Sequence, residues 1–223
     1  MPQEKSLSEI QIKSNMDAMY RWTRHIYDAS RKYYLLGRDK LIERLALSGE
    51  DQLCEVGCGT ARNLIKIKKR YPEKLLYGLD ASEEMLKTAR ASIQKNGHEN
   101  SIKLAHGFAQ SFSAEKQFGL DKPFNKFVFS YSLSIIPPWK ESLDHVLEIL
   151  PSGGEIHIVD FGSCAGQPAF VRALIFWWLK LFHVYYKPEI EDYLRELDAN
   201  EAGTLEFKQL YGGYCYLAKF TKA

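Results

Sequence analysis

Apolar positions recur at helical spacing over residues 6 to 47, through Ile10, Met16, Met19, Ile26, Leu35, Leu36, Leu41, Ile42 and Leu45, behind Ser6 or Ser8 as caps. Gly37 divides this stretch into at least two helices. From residue 52 the pattern changes to short apolar runs alternating with amphipathic ones. Strands are expected at 52–56, 75–79, 102–106, 126–130 and 155–159. Helices are expected at 61–69, at 82–95 with Ser82 as N-cap, and at 139–150. Residues 113–125 read as loop with one helical turn. The chain ends in strands at 204–211 and 214–221 joined by Gly212-Gly213, a hairpin signal. Strands alternating with helices predict an α/β fold with a mostly parallel sheet covered on both faces, closed by an antiparallel hairpin.

The turn after the first strand carries the chemistry. It reads Glu55-Val56-Gly57-Cys58-Gly59-Thr60, and Asp80 stands at the tip of the second strand. Glycines let the backbone turn sharply and let a ligand lie against bare main chain. An acid at that second strand tip accepts hydrogen bonds from both ribose hydroxyls, so the unit predicts a nucleoside site. A dinucleotide site needs a third small residue where this chain has Arg62, and no Gly-Lys-Ser/Thr sequence forms a P-loop. Glu55 repels phosphate but suits an ammonium group. A ligand with a ribose, an amino-acid ammonium and no phosphate is S-adenosylmethionine. The alternative is a βαβ unit that merely turns on glycines, and it leaves Glu55 at the end of an apolar strand unexplained.

On these residues the chain resembles the class I methyltransferases, whose first motif is an acid followed by Gly-x-Gly. The resemblance implies a Rossmann-like, seven-stranded sheet with its last strand antiparallel, and S-adenosylmethionine as cofactor. It places Glu55, Gly57, Gly59, Thr60, Asp80, Ala81, Met85, Phe108, Ala109, Gln110 and Ser130 along the cofactor. Arg38 is a candidate for the cofactor carboxylate.

Two strings outside that core bear on the methyl acceptor: residues 25–39, dense in tyrosine and basic residues, and Ser130-Tyr131-Ser132-Leu133-Ser134-Ile135-Ile136-Pro137-Pro138-Trp139. Together they resemble the N-methyltransferase of betaine-lipid synthesis, which trimethylates the homoserine amine of diacylglyceryl-homoserine. The chain departs from that group at Pro138 and Asn125, where acids are expected. The resemblance implies a lipid substrate at a membrane surface and work beside the aminocarboxypropyl transferase that supplies it. A product with a quaternary ammonium favours an aromatic cage, each ring face contributing about 0.5–2 kcal/mol. Tyr20, Tyr27, Tyr34 and Tyr131 offer rings; Arg24 and Arg31 offer charges for the homoserine carboxylate. Tyr27, Tyr131 and Asp28 are the candidates nearest the chemistry. In-line alignment supplies most of the rate in such a transfer, so a dedicated base is not required. The rival acceptors are phosphatidylethanolamine and a quinone precursor; a rival of another class is a cofactor-binding subunit without activity.

The segment FVRALIFWWLKLFHVYY, residues 170–186, is too short and too charged to span a bilayer. Arg172, Lys180 and His183 fall on one stripe with Lys187 beside it, and the other faces are apolar, including Trp177 and Trp178. That pattern suits a helix lying in a membrane interface or lining a lipid-tail pocket; the alternative is a helix buried against the sheet or a dimer partner.

Composition narrows the class. A length of 223 residues suits one domain, divided into a helical cap over 1–47 and a cofactor core over 48–223 with a lipid-facing insertion around 165–188. A net charge of +2 gives no argument for nucleic acid, and no nucleic-acid motif is visible. The four cysteines form no Cys-x-x-Cys pair and the first thirteen residues are polar. A cytoplasmic protein, peripherally attached to membrane, is expected. No metal cluster is apparent, and the oligomeric state is open.

Overall fold

The computed structural model describes residues 34–181 and 184–223. Seven strands form one sheet in the order β3-β2-β1-β4-β5-β7-β6. The strands are β1 (Leu53–Val56), β2 (Leu76–Asp80), β3 (Ile102–His106), β4 (Lys126–Ser130), β5 (Glu155–Phe161), β6 (Gly203–Leu210) and β7 (Cys215–Lys222). The first five are mutually parallel; β7 runs antiparallel to β5 and to β6. The helices are α1 (Arg38–Arg44), α2 (Arg62–Arg70), α3 (Glu83–Lys95), α4 (Ala114–Phe118), α5 (Trp139–Ile149), α6 (Ala169–Lys180) and α7 (Pro188–Ala199).

Every residue of β1 and β2 is buried, as for parallel strands covered on both faces. Leu41, Ile42, Leu64, Ile67, Leu86 and Leu179 bring α1, α2, α3 and α6 into one core cluster. Leu143, Val146, Ile190 and Leu194 bring α5 and α7 into a second, with Phe112 and Phe124. The edge strand β6 alternates instead, and Phe207 on its inner side stacks on Tyr216 at 5.1 Å between ring centroids.

The expected strands are all present, with ends moved by up to two residues. Helix α3 starts where its cap required: the Ser82 hydroxyl accepts from the Met85 N–H at 3.3 Å. Helix α7 is an element the sequence pattern did not bring out. Pro188 opens it, and Ile190 and Leu194 are fully buried. The charged residues around them, Glu189, Glu191, Asp192, Arg195 and Glu196, diluted the periodicity. The long apolar segment is also shorter as a helix than its sequence suggests, because α6 ends at Lys180. Of the helix expected over 6–47, α1 lies within the described residues. Gly37 stands at its N-cap with φ +80°, so the break expected there is present.

The chain runs outward from β1 through β2 to β3, then returns to β4 on the other side of β1. That reversal makes β1/β4 the switch point, where an open α/β sheet leaves a crevice at its carboxyl ends.

Candidate active site

The crevice opens where β1 ends. Gly57 turns the chain with φ +74°, and a Cβ there would stand 2.6 Å from the Ser132 Cβ. The N–H groups of Gly57 and Cys58 both donate to the Leu79 carbonyl, at 2.8 and 3.0 Å. The Gly59 N–H donates to Asp80 Oδ2 at 2.8 Å, and the Ser82 N–H to Asp80 Oδ1 at 2.9 Å. Asp80 therefore knits the glycine turn to the start of α3. Its two oxygens retain lone pairs for ribose hydroxyls, since a carboxylate offers about four acceptor sites.

Two cavities meet over this turn and share Gly57, Gly59 and Ser130. The first, about 640 Å³, is lined by Asp80, Ala81, Phe108, Ala109 and Gln110 at one end. At the other end it is lined by Ser132, Ile135, Ile136, Pro137 and Pro138. The second is polar and holds Arg38, Glu55, Thr60, Arg62 and Asn63. An elongated ligand laid across the turn would have its nucleoside in the first and a zwitterionic end in the second.

Glu55 is the decisive group of the polar cavity. It is buried, one oxygen accepts from Asn63 Nδ2 at 2.7 Å, and Oε2 has no hydrogen-bond partner. Burial raises its pKa to about 7, with the Asp80 charge in the same direction; Asn63, Arg38 and Arg62 oppose the rise. An orphaned buried carboxylate oxygen asks for a cationic donor. The Ser130 hydroxyl, also buried in the shared part of the cavities, is likewise unpartnered. These residues fit the ammonium and ribose of S-adenosylmethionine.

Comparisons with known proteins agree. Residues 53–154 match the family model described as a methyltransferase domain. Over those residues the chain is similar to the S-adenosylmethionine-dependent methyltransferases. Its cofactor is S-adenosylmethionine.

Curated relatives of this methyltransferase domain include the demethylmenaquinone methyltransferase of Listeria welshimeri, 24% identical over 159 residues, covering 71% of this chain and 61% of that protein. That of Geobacillus stearothermophilus is 24% identical over 188 residues, covering 84% and 73%. The chain thus spans about 61% of the length of the first of these relatives. Among solved structures, a Methanococcus maripaludis protein assigned as an S-adenosylmethionine-dependent methyltransferase is 17% identical. It aligns over 100% of this chain and 97% of that one, with a TM-score of 0.63. The geranyl diphosphate C-methyltransferase of Streptomyces coelicolor, bound to S-adenosylhomocysteine, is 13% identical over 83% of this chain and 76% of that one, TM-score 0.62.

The methyltransferase site gathers most of the residues expected along the cofactor. Arg38, Glu55, Gly57, Gly59, Thr60, Asp80, Ala81, Phe108, Ala109, Gln110 and Ser130 line one cavity or both. Met85 is buried in the first turn of α3 and lines neither. Arg62, which stands in place of the third small residue, turns to α1 and pairs with Asp39 at 3.0 Å. Asn63 was missed; its signal was a polar residue on the inward face of α2, eight positions after Glu55.

Tyr131 is brought to the site in an unexpected way. It lines the first cavity and has φ +56°, rare for a bulky residue. Its ring is buried edge-on to Phe161, centroids 4.6 Å apart, and its hydroxyl donates to the Leu36 carbonyl at 2.5 Å. Burial pushes the phenol pKa well above its ordinary value. It is thus not available as a proton acceptor. Tyr34 is buried with its ring edge-on to Trp178 at 4.6 Å, so Tyr34 and Trp178 pack on each other while Trp177 is 60% exposed. Tyr20, Arg24, Tyr27, Asp28 and Arg31 lie outside the described residues, as does His183. Among the described residues no group of three His, Cys, Asp or Glu side chains could hold a metal ion.

Proposed function

We propose that this methyltransferase acts on the amine of a lipid head group, with diacylglyceryl-homoserine as the acceptor and the trimethylated betaine lipid as product. The observation that carries the lipid class is the outer face of α6. Phe170, Leu174, Trp177 and Leu181 are 76%, 61%, 60% and 57% exposed and follow one another at helical spacing down a single stripe. The opposite face packs Leu179, with Ile175, Phe176 and Trp178 against the core that holds Tyr34 and Tyr131. The exposed cation Lys180 stands at one edge of the stripe. An exposed apolar stripe with a basic side chain at its edge suits a bilayer surface. Among the described residues no helix is long and apolar enough to cross a membrane, so the contact proposed is peripheral.

The acceptor end of the site supports the same class. Ile135, Ile136, Pro137 and Pro138 make an apolar wall beside Ser130 and Ser132. Its shape is held from behind. Lys187 Nζ donates to the Leu133 and Ile136 carbonyls at 3.3 and 3.2 Å, and Asp160 accepts the Ser134 N–H at 3.0 Å. When bound, S-adenosylmethionine supplies a methyl group already activated by its sulfonium. The chain's residues have to hold the donor, exclude water from the apolar wall and bring the acceptor nitrogen in line. An α-amine with a pKa of about 8 supplies a neutral fraction near pH 7 without a strong base.

A quinone-precursor acceptor is the second reading, favoured by the demethylmenaquinone methyltransferases among the relatives. Vesicles containing diacylglyceryl-homoserine, phosphatidylethanolamine or demethylmenaquinone, incubated with the protein and methyl-labelled cofactor, separate the cases. Mass spectrometry of the lipids should find label in the homoserine lipid. Label in the quinone instead moves the assignment to the second reading. Cofactor binding with no adenosylhomocysteine formed on any acceptor would sink the enzymatic reading.

A further inference from the structure

The segment Tyr34–Gly37 crosses the carboxyl ends of the strands just before Arg38 enters the polar cavity. Each of its first three carbonyls is taken. Tyr214, from the β6–β7 turn, donates its hydroxyl to the Tyr34 carbonyl at 2.8 Å. The Leu35 carbonyl accepts from Arg38 Nε at 3.0 Å, and the Leu36 carbonyl from the Tyr131 hydroxyl. Gly37 is buried so tightly that a Cβ would stand 3.0 Å from Cys215 Sγ and 3.3 Å from a Val159 methyl. The strap is therefore pressed on β5 and β7, and it is pinned by two tyrosines from different parts of the sheet. Tyr131 is the pin that also lines the first cavity.

We propose that Tyr131 is a positioning residue: its hydroxyl fixes the Tyr34–Gly37 strap so that Arg38 stands opposite Glu55 over the amino-acid half of the cofactor. The positive φ of Tyr131 serves this geometry. With that φ the ring packs edge-on against Phe161 and the hydroxyl reaches the strap, while Ser130, Tyr131 and Ser132 line the first cavity. A tyrosine donated into a carbonyl of a chain-distant segment sets that segment's height above the sheet, and Arg38 follows one residue after Gly37. The strap thus converts the side chain at the end of β4 into control of a cation at the start of α1. The proposal rests on the cofactor lying with its carboxylate toward Arg38.

Isothermal titration with two ligands tests it. S-adenosylhomocysteine has the amino-acid half and 5′-methylthioadenosine lacks it. Tyr131→Phe keeps the buried ring and removes the hydroxyl. It should weaken S-adenosylhomocysteine about tenfold, the scale of one charge-assisted hydrogen bond, and leave 5′-methylthioadenosine unchanged. Arg38→Gln should weaken S-adenosylhomocysteine alone, and adding Tyr131→Phe to it should cost nothing further. Equal losses on both ligands would mean general damage to the site and would overturn the proposal. So would an unaltered S-adenosylhomocysteine affinity in Tyr131→Phe, or additive losses in the double variant. If Arg38→Gln alone spares S-adenosylhomocysteine, the placement of the carboxylate fails, and the positioning role falls with it.

Discussion

Glu55 is the residue at which burial, charge and ligand chemistry meet. In the cofactor-free protein its pKa of about 7 lies above the ordinary carboxylate value of 4.5, because burial penalises the ion more than Asn63, Arg38 and Arg62 assist it. The folded chain then holds a proton that the unfolded chain has released. Stability from this group is fully present below about pH 4.5 and is lost as pH rises toward 7. An ammonium on Oε2 reverses the preference, so the ligand binds the ionised form and releases the proton when pH is below 7. Cofactor affinity should therefore weaken by up to about tenfold per pH unit as pH falls from 7 to 5.5. Titrations in buffers of different ionisation heat would show proton release that Glu55→Gln abolishes; a flat profile in the unaltered protein contradicts the assignment. Glu55 and Asp80 were legible in the sequence because an acid in an apolar run is costly unless a ligand or a partner needs it. Tyr131 was not legible, since which way a strand-end side chain points depends on a φ that no residue pattern announces.

Helix α6 shows what periodicity settles and what it leaves open at the scale of an element. The sequence showed an almost uniformly apolar helix with basic positions on one side. It could not say which apolar face the sheet would cover, because several faces were equally greasy. Packing decided it: Leu179, Phe176, Ile175 and Trp178 turn inward, and Phe170, Leu174, Trp177 and Leu181 stay out. This changes which substitutions are informative. Phe170→Glu with Trp177→Glu should abolish co-sedimentation with anionic vesicles and leave the cofactor dissociation constant unchanged. Trp178→Glu should instead destabilise the fold, because its ring packs on buried Tyr34. Vesicle binding that survives the Phe170/Trp177 change would remove α6 as the membrane contact. Helix α7 is the opposite case: two buried apolar residues in a charged stretch were too few for periodicity to stand out.

Across the whole molecule, the cofactor site is assembled from α1, the ends of four strands and the segments that follow them, so ligand binding and global folding are linked. Saturation with S-adenosylhomocysteine at about 100 times its dissociation constant should add about 2.7 kcal/mol to the stability of the folded state. A thermal melt would register this as a cooperative upward shift, larger than that from 5′-methylthioadenosine at equal concentration. An unshifted melt would mean that the cavities do not form the site. The alternation of buried strands and amphipathic helices specified the α/β layers, because a parallel strand must be apolar on both faces and a covering helix on one. The glycine turn with Glu55 and Asp80 specified the donor, since those local residues carry both the bare backbone and the charges. Tertiary structure alone decided the rest. It brought Asn63 and Arg38 to Glu55, turned Tyr131 to Leu36 rather than to a substrate, and left one stripe of α6 bare. Those outcomes depend on contacts between residues distant along the chain, whose relative heights and directions are set only when the sheet, the strap and the helices close on one another.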